Sequence, residues 1–251
     1  GSGSKEPEPN LIAIRRPAEQ QPEPAHSHLQ SGTFWQHVPA FRDIDEATFL
    51  DHRWQSKNSV TSVRTLRDAL GDLVDESFHA DVEAGLEKAP MSLRMTPYVL
   101  SLIDWSRPER DPLRRQFLPL GSERQPEHPL ARIDGLGERA HSPVEGLTHR
   151  YPDKALLLAL DTCPVYCRFC TRSYAVGLDT DEVSKFHLRT NELRWQHAFA
   201  YIQSKPQIED VVVSGGDIYN LKPDQLRTIG HALLDIAHVR RIRFATKGPS
   251  V

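Results

Sequence analysis

DTCPVYCRFCTRSY, residues 161–174, contains every cysteine of the chain. Cys163, Cys167 and Cys170 follow ALLLAL (155–160), a short all-apolar run of the kind that forms a strand buried on both faces of a parallel sheet. Three readings compete for thiols at such a place. Positions i, i+4 and i+7 would line one face of a helix as three small buried side chains. A zinc site would want four protein ligands and, without a second cysteine knuckle, His149 or His187 would have to be the fourth. An iron–sulfur cluster takes cysteine thiolates, and a four-iron cluster held by only three leaves one iron without a protein ligand. Position after a strand, with all the thiols gathered on one loop, favours the last.

Outward from this stretch the pattern is regular. TNELRWQHAFAYIQSK (190–205) has helical periodicity, DVVVS (210–214) is a second buried strand running into Gly215-Gly216, PDQLRTIGHALLDIA (223–237) a helix, and VRRIRFAT (239–246) a third strand. Alternation of strand, loop and helix predicts βα units building a parallel sheet or barrel, with chemistry on the loops at the C-terminal ends of the strands. Both the cysteines and SGGD (214–217) fall there. A lone glycine pair is weak evidence by itself, since it serves tight turns as well as ligands.

The N-terminal half reads differently. ATFLDHRW (47–54), SVRTLRDALGDLVD (62–75), ADVEAGLEKA (80–89) and TPYVLSLIDW (96–105) repeat apolar residues at helical spacing, with Ser62 as an N-cap. The segment from there to His149 has little periodicity and reads as a long, partly extended connection; a polar loop before a strand is the plainer of two readings of HRYPDK (149–154). Pro7, Pro9, Pro17, Pro22 and Pro24 lie among charges and read as a flexible arm behind an expression-derived GSGS. The expected divisions are 1–30 for the arm, 31–145 for the helical region and connection, and 146–251 for the first part of a barrel.

Composition excludes several classes. Of 251 residues 38% are hydrophobic and 26% charged, as in an ordinary globular protein, and a net charge of −3 gives no general attraction to nucleic acid or an anionic membrane. No apolar run nears the ~20 residues of a membrane span, and the start does not resemble a secretory signal. With three cysteines rather than paired ones, the expected location is cytoplasmic.

C-x-x-x-C-x-x-C with Phe169 before the last cysteine resembles the fingerprint of the radical S-adenosylmethionine enzymes. The resemblance implies that Cys163, Cys167 and Cys170 hold a [4Fe-4S] cluster whose open iron takes S-adenosyl-L-methionine. It also implies that Phe169 packs near the adenine, and that Ser214, Gly215, Gly216 and Asp217 hold the methionine end. TPYVLSLID (96–104), DPLRRQFLP (111–119), SPVEGLTHRYPDKALLLALDTCPVYCRFCTR (142–172) and the run from the helix near 195 through VVVSGGD are similar to the lysine 2,3-aminomutase family, over roughly residues 90–251.

That similarity implies an α/β fold, a partial (β/α)6 barrel truncated at its C-terminus and preceded by a helical region. It also implies pyridoxal 5′-phosphate as a further cofactor, and transfer of the α-amino group of an amino acid to its β-carbon, with lysine the first choice of substrate. Arg150 and Tyr151 match positions that hold the pyridoxal phosphate group, as does Lys154, where the family more often has arginine. Arg172 matches the arginine that binds the substrate carboxylate, and Ser173 replaces a second arginine common after it. The resemblance implies that the lysine that binds pyridoxal lies beyond residue 251; truncation is expected because half a barrel would leave a long unpaired strand edge. An electron donor for the cluster and a homo-oligomer complete the expectation. The alternatives are a related radical enzyme with another amino-acid substrate or without pyridoxal phosphate, and a non-enzymatic metal-stabilised binding protein.

Overall fold

The alternation seen in the C-terminal half builds one sheet. In the computed structural model, which describes residues 30–251, strands β1 (Leu147–Tyr151), β2 (Lys154–Leu160), β3 (Asp210–Gly215) and β4 (Arg241–Phe244) lie in the order β1-β2-β3-β4. β2, β3 and β4 are parallel, with Leu157 opposite Val213 and Val211 opposite Ile242. The crossovers carry α7 (Glu192–Gln203) and α8 (Pro223–Leu234), as parallel pairing requires. β1 pairs antiparallel to β2, so the sheet is mixed, and residues 149–151, for which a polar loop was the plainer reading, belong to a strand. Leu147 and Thr148 are buried while Arg150 and Tyr151 are exposed. The short apolar stretch at the start of β1 carries too little periodicity to announce a strand.

One face of the sheet is closed by the two helices. Leu157, Ala159, Leu160, Val211 and Val213 pack with Trp195, Ala198 and Ile202 of α7 and Ile229 and Leu233 of α8. Arg194 is buried beneath this layer, its guanidinium donating to the carbonyls of Leu158 (2.6 Å), Ala159 (2.8 Å), Leu188 and Arg189. It pins the C-terminal end of β2, where strand hydrogen bonding gives way to the cysteine loop. The outer strand, β4, is largely exposed.

The helical region is more broken than its periodicity suggests. ATFLDHRW forms α1 (Glu46–Phe49) and α2 (His52–Lys57), each capped by an aspartate, Asp45 and Asp51. Ser62 caps α3 (Val63–Leu70) as expected, accepting from the Thr65 amide at 3.1 Å, and Gly71 ends that helix. Further on lie α4 (Glu76–Glu87), α5 (Pro97–Ser101) and α6 (Pro112–Phe117), the last inside what reads as connection. Trp35, Phe49, Leu66, Leu70 and Leu100 form their core, with Trp35 and Phe49 stacked 4.4 Å apart. Val165 and Cys167 of the cysteine loop pack into this core too, so the loop is held from the helical side as well as from the sheet. Thr33–Val251 cluster as one compact unit, and the arm expected over residues 1–30 lies outside the described residues except for its last position. Among the described residues no helix is long and apolar enough to cross a membrane.

Candidate functional site

Two loops at the C-terminal ends of neighbouring parallel strands make the site, and glycine lets them touch. After β3 the amide of Gly216 donates to Leu160 O (2.7 Å) and that of Asp217 to Thr162 O (2.9 Å), joining SGGD to the start of the cysteine loop. A Cβ on Gly216 would sit 2.6 Å from both the nitrogen and the carbonyl carbon of Thr162, and Gly215 has φ +124°. The pair is therefore needed for the approach of one loop backbone to the other. Asp217 then fastens a third loop. Its Oδ1 accepts from the Thr246 hydroxyl (2.6 Å) and the Tyr219 amide (2.9 Å), and its Oδ2 from the amides of Lys247 (2.7 Å) and Gly248 (3.0 Å). Expected as a ligand-holding residue, Asp217 spends its carboxylate on holding the loop after β4.

Between these loops lies a cavity of about 370 Å³. Cys163, Cys167 and Cys170 line it together with Phe169, Arg172, Ser214, Gly215, Gly216 and Asp217. The cysteine loop contains no helix from 161 to 174, which removes the reading of three thiols on a helical face. All three are free and half-buried. Burial, reinforced by Cys170, Asp217 and Cys167 nearby, pushes the Cys163 thiol up to about 12, and burial raises Cys167 and Cys170 as well. Clustered thiols of this kind bind their protons tightly until a cation replaces them.

Three free thiols with no histidine in the cavity lining are the ligand type of an iron–sulfur cluster. Tetrahedral zinc with Zn–S near 2.3 Å draws its sulfurs to within about 3.8 Å of one another. Among the described residues no three His, Cys, Asp or Glu side chains converge to hold one metal ion. An iron–sulfur cluster gives each thiolate its own iron, and so needs neighbouring thiols rather than converging ones. His149 and His187, the zinc reading's fourth ligands, are elsewhere: His149 is 2.9 Å from the Tyr201 hydroxyl, and His187 lies 3.4 Å from Asp179. Neither lines the cavity.

Arg172 reaches the cavity already paired. Its Nε and Nη2 donate, each at 3.1 Å, to the two oxygens of Glu138, which also accepts from the Tyr174 hydroxyl (2.9 Å). Glu138 is 4% exposed and comes from the connection, 34 residues away in sequence, so no local pattern could have revealed it. Burial and the Glu138 carboxylate hold the Tyr174 hydroxyl far above its ordinary range, keeping it a donor. Ser173, the departure from the family pattern, gives its carbonyl to the buried Lys185 ammonium, which also donates to Pro90 O.

Arg150, Tyr151 and Lys154 are not brought to this cavity. Arg150 and Tyr151 end β1 and Lys154 begins β2 opposite Tyr151, and six residue steps separate Lys154 from Leu160, about 20 Å of strand. Arg150 donates to Leu136 O, Lys154 pairs with Asp153, and Tyr151 is exposed. A larger cleft of about 820 Å³, lined by His52, Arg53, Tyr98 and Lys222 among others, holds none of the cysteines. Chemistry rather than size selects the smaller cavity.

Fold and site together define an α/β protein with a three-thiol centre at the C-terminal end of adjacent parallel strands. No family model matches the chain. Among curated proteins it is 37% identical over 213 residues to the L-lysine 2,3-aminomutase of Clostridium subterminale, covering 84% of this chain and 48% of that one. It is 35% identical over 217 residues to that of Bacillus subtilis (86% and 43%), and 31% over 204 residues to the glutamate 2,3-aminomutase of Clostridioides difficile (80% and 44%). The chain spans about half the length of these relatives. Over the stretch it shares with them, it is similar to the lysine 2,3-aminomutase family.

Proposed function

We propose that the chain is the cluster-bearing part of a radical S-adenosylmethionine 2,3-aminomutase, built on a (β/α)6 barrel of which β2, β3 and β4 are members. The observation that carries this is the gathering of Cys163, Cys167 and Cys170 with Ser214, Gly215, Gly216 and Arg172 around one cavity. When bound, the cluster and S-adenosyl-L-methionine supply a hydrogen-abstracting radical, and pyridoxal phosphate carries the migrating amino group. The protein's part is placement and exclusion of water. The three thiolates would hold the cluster, with Phe169 and the SGGD backbone flanking its open side.

Arg172 would orient the substrate carboxylate. Glu138 occupies the Nε edge of its guanidinium and leaves Nη1 free of side-chain partners among the described residues. Arg150, Tyr151 and Lys154 would take the pyridoxal phosphate group at the far end of β2. Lysine is the first choice of substrate. Glutamate is a second reading, supported by the similarity to a glutamate 2,3-aminomutase. An electron donor, a homo-oligomer and a cytoplasmic location belong to the same proposal.

The test uses the intact protein, reconstituted with iron and sulfide and reduced. With S-adenosylmethionine, pyridoxal phosphate and a panel of α-amino acids it is expected to form 5′-deoxyadenosine and one β-amino acid, read by mass spectrometry and NMR. Deoxyadenosine without any isomerised amino acid would retire the aminomutase and leave a different radical enzyme. An absence of both, with no cluster formed, would leave the metal-stabilised binding protein.

A further inference from the structure

Lys247 enters the cavity from the loop after β4, outside every motif that the sequence singles out. Its backbone is fixed, because its amide donates to Asp217 Oδ2 at 2.7 Å and the neighbouring Thr246 hydroxyl and Gly248 amide bind the same carboxylate. The side chain is directed as well: its Nζ lies over the Phe169 ring, 5.0 Å from the centroid, in the wall of the cavity that the three cysteines line. Among the described residues Lys247 has no salt-bridge partner. An ammonium held on an aromatic face at the wall of a cavity, with no carboxylate to neutralise it, faces three thiols as its potential counter-charge.

From this placement, and resting on the cluster reading above, we infer that Lys247 tunes the reduction potential of an iron–sulfur cluster held by Cys163, Cys167 and Cys170. A cluster bound by three thiolates is anionic, and one-electron reduction makes it more so. A fixed positive charge at short range in a site of low dielectric stabilises the reduced form more than the oxidised one and so raises the potential. Arg172, the other cation on the cavity wall, cannot take this part equally, because Glu138 neutralises it. Asp217 is then a positioning residue: it ties SGGD to the loop that carries the charge.

The experiment is a potentiometric titration of the reconstituted full-length protein followed by electron paramagnetic resonance, with iron and sulfide quantified. Lys247→Met keeps the stem and its apolar body and removes the charge; Lys247→Arg keeps the charge. The expected result is a lower midpoint potential in Lys247→Met at full cluster content, and a near wild-type potential in Lys247→Arg. An unmoved potential in Lys247→Met with its cluster intact overturns the inference while leaving the cluster in place. If Lys247→Met takes up no cluster, assembly in Lys247→Arg supports the need for charge, and failure of both assigns Lys247 to packing and overturns it. A wild-type protein that binds no iron and sulfide overturns the cluster reading itself, and this inference with it.

Discussion

Gly216→Ala tests whether two loop backbones must touch for the site to exist. The added methyl would lie 2.6 Å from Thr162 N and from Thr162 C, backbone atoms that cannot swing aside as a side chain could. Relief requires SGGD and the cysteine loop to part by about an ångström, which lengthens both Gly216 N–Leu160 O (2.7 Å) and Asp217 N–Thr162 O (2.9 Å). Each backbone bond contributes about 1 kcal/mol net, and overpacking costs about 1–3 kcal/mol more. The sum is roughly 3–5 kcal/mol, or about 6–20 °C in Tm for a domain of this size. Gly230→Ala is the control, because its methyl meets only the Phe244 ring at 3.9 Å and sits inside α8, where alanine is the better helix former. Thermal unfolding of the intact apo-protein, with thiol labelling of the cysteines, measures both. A Gly216→Ala protein that melts with the wild type and labels at the same rate refutes the reasoning.

Three further outcomes are expected. Arg194→Met leaves four carbonyls at the end of β2 and before α7 without their donor and lowers stability by about 3 kcal/mol or more, read by urea unfolding. Glu138→Gln weakens the pair with Arg172 in a buried setting by about 1–3 kcal/mol, and Tyr174→Phe, which loses one hydrogen bond, costs less; equal melting of the two variants and the wild type contradicts both. The apo-protein loses stability as pH rises from about 9 toward 12. In that window the unfolded Cys163 has released its proton while burial keeps the folded thiol protonated, so the folded state binds more protons and the slope is negative, at most about 1.4 kcal/mol per pH unit for that one group. Cys163→Ser flattens this decline in a pH series of denaturant melts, and an unchanged decline would refute the assignment.

What the sequence made legible is what local pattern can encode. Periodicity located α7, α8 and the parallel strands because each buries one face or two against neighbours, and Ser62 was readable because a cap acts within three residues. The cysteine loop was readable for a similar reason, its three thiols lying within eight residues. β1 escaped because only its first residues are buried, and α6 because proline, arginine and glutamine give six residues no clear stripe.

The parts of the site that stayed hidden depend on residues distant in sequence. Arg172 was visible as a candidate cation, but its partner Glu138 is fixed by the fold of the connection, and the charge on Lys247 is delivered by a strand two βα units further on. Asp217 shows how such distance changes a residue's meaning. Next to a glycine pair it reads as a ligand contact, yet four donors from Tyr219, Thr246, Lys247 and Gly248 already surround its carboxylate. A carboxylate so occupied has no lone pair to spare for a ligand without surrendering a loop. SGGD is thus better understood as the joint between three strand ends than as a cradle alone: its glycines admit the cysteine backbone on one side, and its aspartate holds the lysine loop on the other. The cavity takes its shape from that joint, so motif residues that never touch a ligand would still decide whether one fits.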